Sequence, residues 1–85
     1  MKFIIMTPNR VIDKLDAVKV SAIGLEGSFS ILPGHVDLLS VLVRCIVTAS
    51  GENGSTSVYA ADGGVLVKQD DQVMISTPMA VDRKS

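Results

Sequence analysis

Turn-forming residues cut this sequence into short lengths. Pro8-Asn9, Gly24 with Gly27, Pro33-Gly34, Gly51-Glu52-Asn53-Gly54, Gly63-Gly64 and Asp70-Asp71 punctuate the chain. Over much of its length the interval is about 8–12 residues, the spacing of a sandwich or barrel. Val and Ile with Ser and Thr dominate the segments between, a β-favouring vocabulary. Helix formers never gather into a long amphipathic window. The chain therefore reads as all-β.

Period-two alternation places strands at Phe3–Thr7, Ala17–Ile23, Ser28–Leu32, Leu42–Ala49, Thr56–Ala61, Val65–Gln69 and Val73–Thr77. Gly24 and Gly27 bracket a tight turn carrying Leu25 and Glu26. Ala17–Ile23 predicts one face of Val18, Val20 and Ala22. Leu42–Ala49 divides into Val43, Cys45 and Val47 against Leu42, Arg44, Ile46 and Thr48. Thr56–Ala61 returns as a hairpin partner, and Val65–Gln69 with Val73–Thr77 forms a second hairpin around Asp70-Asp71. The stretch from Gly34 to Leu42 fits either a short helical turn or an irregular crossover, and Leu38 and Leu39 are expected in the core.

Eighty-five residues make one small domain, 1–85, with a single core. Such a chain exposes roughly 4,900 Å² when folded and buries about 60% of its unfolded surface, leaving little room for a deep cleft. The 8 Lys+Arg and 9 Asp+Glu give a net charge of −1, without the basic face of a nucleic-acid binder. One cysteine excludes an internal disulfide framework. The apolar start Met1–Met6 mimics a signal peptide, but its run is short and Pro8 follows, so it reads as a first strand. No stretch approaches the ~20 apolar residues of a membrane-spanning helix. A mean hydropathy of +0.40 still leaves more apolar surface than a cytosolic monomer needs, which predicts a docking role.

Catalytic chemistry is scarce. His35, the sole histidine, has Asp37 and Ser40 nearby in sequence, so an Asp-His-Ser hydrolase can be written down. No other part of a triad framework accompanies them, and a turn histidine bonding local backbone is the preferred reading. Cys45 alternates with Val43 and Val47 as a buried, inert thiol. One His and one Cys make no zinc site. Asp13 with Asp16, and Asp70-Asp71, lack the glycine-centred spacing of a calcium loop. Gly63-Gly64 lacks the Lys-Ser/Thr of a phosphate loop and reads as a turn or bulge. No metal and no cofactor is expected.

The run Glu26-Gly27-Ser28-Phe29-Ser30-Ile31-Leu32-Pro33-Gly34-His35, followed by Leu38-Leu39, resembles a signature of the epsilon subunit of F-type ATP synthases. Gly63-Gly64-Val65-Leu66 resembles the family's segment entering its last hairpin, and Ile4-Ile5-Met6-Thr7-Pro8 fits its first strand. The resemblance covers nearly the whole chain in order. It implies the family's amino-terminal β-sandwich of about ten strands, mostly antiparallel. Ser28 stands where an acidic residue is frequent, Ser30 for a Gly, Asp37 for a Pro, Asp62 for a Ser, and Val67-Lys68 for Glu-Val. These variants resemble the sodium-type N-ATPase subgroup; the ligands of the transported ion belong to the membrane ring, not to this chain. The family's two-helix carboxy-terminal hairpin, with the nucleotide site some members build there, is expected to be absent from a chain that stops at Asp82-Arg83-Lys84-Ser85.

The resemblance further implies a non-catalytic rotor subunit of the central stalk. It would dock on the gamma subunit and on the c-ring loops, reach the membrane only through the ring, and lie at the cytoplasmic face of the bacterial inner membrane. Residue by residue, Ser28, Phe29, Leu32, Pro33, Gly34 and His35 would lie at the end facing gamma and the ring. Thr7 and Pro8 would be further gamma contacts, and Gly24, Gly27, Gly63 and Gly64 would shape turns. The alternative is an unrelated β-sandwich adaptor or ligand-binding module.

Overall fold

The computed structural model describes residues 1–83; Lys84 and Ser85 of the expected chain end lie outside the described residues. Eight strands follow in order: β1 (Lys2–Met6), β2 (Val11–Asp16), β3 (Lys19–Gly24), β4 (Gly27–Ile31), β5 (Leu38–Ser50), β6 (Thr56–Gln69), β7 (Gln72–Ser76) and β8 (Ala80–Asp82). The ladder order is β2-β1-β7-β6-β5-β3-β4, with β8 pairing β6 beside Tyr59–Ala61. Among the described residues only β1 and β7 run parallel. The described residues contain no helix.

The two long strands build both layers. In β5, Leu38 and Leu42 face inward while Leu39 and Val41 face out; beyond Val43 the inward residues become Cys45, Val47 and Ala49. In β6 the inward set changes from Tyr59 and Ala61 to Leu66 and Lys68. Both changes fall where the β5–β6 ladder passes from the Leu42–Gly64 pair to Arg44–Asp62. Gly63 and Gly64, at φ 75° and 121°, supply the rotation. Strands that change layer at such irregular steps make the corners of a sandwich. Dividing β5 and β6 at this step gives ten segments, the count the resemblance implies.

One layer thus holds β2, β1, β7 and the Gly64 side of β6 and β5; the other holds β4, β3, β8 and the remaining halves. The core between them includes Phe3, Ile5, Val20, Ile31, Val47, Tyr59, Leu66, Val73 and Ile75, all fully buried. Phe3 and Tyr59 meet across the layers with ring centroids 5.7 Å apart, a favourable tilted aromatic pair. The exposed area, 5099 Å², is close to the value expected for this length.

Several sequence expectations change. Val11–Asp16 is a strand that alternation does not reveal, because on this edge strand the half-buried apolar residues Ile12 and Leu15 sit three apart among charges. Val18 is exposed rather than inward, since β3 begins only at Lys19. Thr56–Ala61 and Val65–Gln69 are one continuous strand through the glycines. The Gly34–Leu42 stretch is neither helical nor wholly irregular: β5 starts at Leu38. Leu39 leaves the expected core and stands 67% exposed, because it precedes the change of inward face at Val43. Cys45 is buried as expected, and Arg44 opposite it pairs with Asp62 at 2.7 Å.

Candidate interface site

The loop Leu32–Asp37 joins the two layers at one end of the sandwich. Pro33 fixes φ for the second position of a turn and Gly34, at φ 85°, accepts the third, while the His35 amide donates to the Leu32 carbonyl at 3.0 Å. That is the arrangement of a type II turn. It projects Leu32 and Val36 into solvent, 53% and 74% exposed.

Beside the loop, a shallow groove of about 390 Å³ is lined by Ser28, Phe29, His35 and the Leu38–Ser40 start of β5. Phe29 stands opposite the buried Ala22 and packs half-buried against the core, closing this end. Ser28 is exposed next to it. An adjoining hollow is formed by Leu25, Glu26, Leu39, Ser40 and Val41. Leu25 is 72% exposed at the tip of the two-residue β3–β4 turn. Turn tips ordinarily carry polar residues, so Leu25, with Leu39 and Val41, adds an apolar lobe that sequence reasoning overlooked. Its one legible signal is a leucine between two turn glycines.

The structure brings Ser28, Phe29 and His35 to one groove, while Leu32, Pro33 and Gly34 form the turn that leads into His35, past the end of β4 opposite to Ser28. Thr7 and Pro8 lie elsewhere: they follow Met6, in register with Ser76, three strands across and at the other end of their layer. There they form a turn in which the Thr7 amide donates to the Arg10 carbonyl at 2.9 Å. A second apolar groove, of about 390 Å³, lies on the outer face of β5, β6 and β8. Ile46, Met79 and Val81 line it and the Arg44–Asp62 ion pair rims it.

No triad forms. His35 Nδ1 bonds the Val36 carbonyl at 2.8 Å, as a turn histidine should. The Asp37 carboxylate instead accepts from the Asp70 amide at 2.9 Å and faces Lys68 Nζ at 3.7 Å. Among the described residues no cluster of three His, Cys, Asp or Glu is placed to hold a metal, and no helix is long and apolar enough to cross a membrane.

One buried polar pair ties the layers elsewhere. The Tyr59 hydroxyl donates to Asp13 Oδ2 at 2.7 Å. Burial first, then this bond, holds the phenol neutral well above its ordinary value of 10.0. The unfolded chain thus releases the phenolic proton first, so stability is complete below about pH 10 and falls as pH rises beyond it. Tyr59 is the only tyrosine and tryptophan is absent. Tyrosinate absorbance is accordingly expected to rise only together with loss of the β-sheet circular dichroism. A phenol that ionises while the sheet is intact would contradict this. Tyr59→Phe should lower stability at neutral pH by about 1 kcal/mol and remove this residue's share of the alkaline loss.

A mixed sandwich with a protruding turn at Pro33-Gly34 and a glycine corner at Gly63-Gly64 can be compared with known proteins. Residues 1–83 match the family model of the ATP synthase delta/epsilon chain β-sandwich domain. The chain belongs to this family. It is 39% identical over 64 residues to the ATP synthase epsilon chain of Wolinella succinogenes, an overlap of 75% of this chain and 49% of the relative. The epsilon chain of Moorella thermoacetica is 35% identical over 71 residues, 84% of this chain and 53% of that one. This epsilon-family chain thus spans about half the length of these relatives.

Solved structures agree in fold. A chain in the Euglena gracilis mitochondrial ATP synthase OSCP/F1/c-ring structure superposes with a TM-score of 0.87 at 23% identity, covering 94% of this chain and 51% of that one. One from the Tetrahymena thermophila mitochondrial ATP synthase central stalk/c-ring gives 0.75 at 19%, covering 95% and 65%.

Proposed function

We propose that this chain is a non-catalytic subunit of the central stalk of an F-type ATP synthase or ATPase. It docks on the gamma subunit and on the c-ring loops and turns with them, so that ion flow is coupled to ATP synthesis or hydrolysis. Membrane association is then peripheral, through the ring, on the cytoplasmic side of a bacterial inner membrane. The ring sets whether the ion is a proton or sodium.

The observation that carries this reading is where the apolar surface lies. Leu25, Leu39 and Val41 line one hollow, Leu32 and Val36 project from the Leu32–Asp37 loop, and Ile46, Met79 and Val81 share one outer face, on a body whose core is otherwise closed. Contiguous exposed apolar surface on a small protein marks an interaction site, and more than one such surface suits a subunit held between two partners. A close-packed sandwich also deforms little under load, as transmission of torque requires. Ser28, Phe29 and the Leu32–His35 turn would make the contact at the loop end.

Mixing the purified chain with the gamma subunit from the same source is expected to give a stoichiometric one-to-one complex on sizing. Two folded partners that elute separately would refute the gamma contact.

A further inference from the structure

Lys68 is the anomaly among the inward residues of β6. Its side chain is 2% exposed, and lysines are almost never so buried unless paired. Its ammonium donates to the His35 carbonyl at 3.0 Å and to the Asp70 carbonyl, and the Asp37 carboxylate balances its charge from 3.7 Å. Asp37 in turn accepts the Asp70 amide. The loop Leu32–Asp37 has no strand ladder of its own and is held here by one buried cation and one carboxylate.

We infer that Lys68 and Asp37 form a latch that fixes the Leu32–Asp37 loop in its docking shape, making Lys68 a positioning residue for partner binding. This rests on the proposed docking of that loop. An apolar residue at position 68 would fill the same space more cheaply, because burying a charge is costly even when paired. What it could not do is direct bonds at the His35 carbonyl and at Asp37, which set where Leu32 and Val36 point. A loop ordered before binding loses less entropy on docking.

Lys68→Met and Asp37→Asn test the latch; both keep the volume at their positions, and Asp37 is largely exposed. Amide exchange at His35 and Asp70 is expected to quicken about tenfold in either variant while the central strands keep their protection. Affinity for the gamma subunit or the c-ring is expected to fall about tenfold in both. Unchanged loop exchange in both variants overturns the latch, whatever the wild-type chain binds. Faster exchange with wild-type affinity overturns the positioning role. Wild-type chain that binds neither partner overturns the proposed function itself, and the positioning role with it, while exchange still reports on the latch.

Discussion

Gly64→Ala is expected to remove a large share of the stability of the fold. A β-carbon at this position would press into the Ser76 carbonyl oxygen and lie 2.9 Å from Thr77 Cα and 3.1 Å from the Ser76 carbonyl carbon. All three are backbone atoms of β7 and its exit, which are held in place by the β1 and β6 ladders and by the Thr77 amide bonding the Met6 carbonyl. None can swing aside as a side chain would. To this clash is added the φ of 121°, which side-chain-bearing residues rarely adopt. The corner lets β6 serve both layers, so the strain cannot relax without breaking the β6–β7 ladder. A loss above about 4 kcal/mol is expected, a large share of the ~5–15 kcal/mol that stabilises a whole domain.

Gly27→Ala separates the two causes. Gly27 has the same φ of 121°, but nothing lies within 4 Å of its would-be β-carbon. Its expected cost is backbone strain alone, about 1–3 kcal/mol. Urea unfolding followed by circular dichroism measures both; equal costs at the two glycines would show that close approach to β7 contributes nothing.

The contrast between these glycines also marks what the sequence can convey. Gly63-Gly64 reads as a break between two strands, because local signals register the positive φ but not the β7 backbone lying over it. Strands whose two faces meet different environments, such as β7 with Val73 and Ile75 inward, announce themselves by alternation. Strand β2 does not: Ile12 and Leu15 sit three apart among Asp13, Lys14 and Asp16, and only pairing with β1 makes them a strand. The Pro33-Gly34 turn is local chemistry and was fully legible. Lys68 was not, since its burial depends on a loop some 30 residues away in sequence. Its one trace is parity: Lys68 shares a strand face with Leu66. The exposed lobe of Leu25, Leu39 and Val41 depends likewise on the change of inward face at Val43, which no local pattern encodes.

Leu32→Glu with Val36→Glu is expected to abolish docking while leaving the fold intact. Both side chains project from the Pro33-Gly34 turn into solvent and neither belongs to the core cluster, so the isolated chain gains charge and solubility without losing packing. In a complex the same positions would be desolvated. Each introduced carboxylate would then replace an apolar contact by a buried charge without a partner, a cost of several kcal/mol by itself. Interface energy concentrates in a few central anchors, and two such changes on one turn should weaken binding by at least about 100-fold, equivalent to ~2.7 kcal/mol. Val11→Glu supplies the comparison: Val11 is also exposed, but it lies on edge strand β2, remote from the loop. Calorimetric titration against the gamma subunit and against the assembled c-ring shows which partner the turn meets. Loss against one alone assigns the turn to that partner. Equal, near-wild-type affinity of the double variant for both would remove the Leu32–Asp37 loop from the interface and leave the Ile46–Met79–Val81 face as the surface that docks.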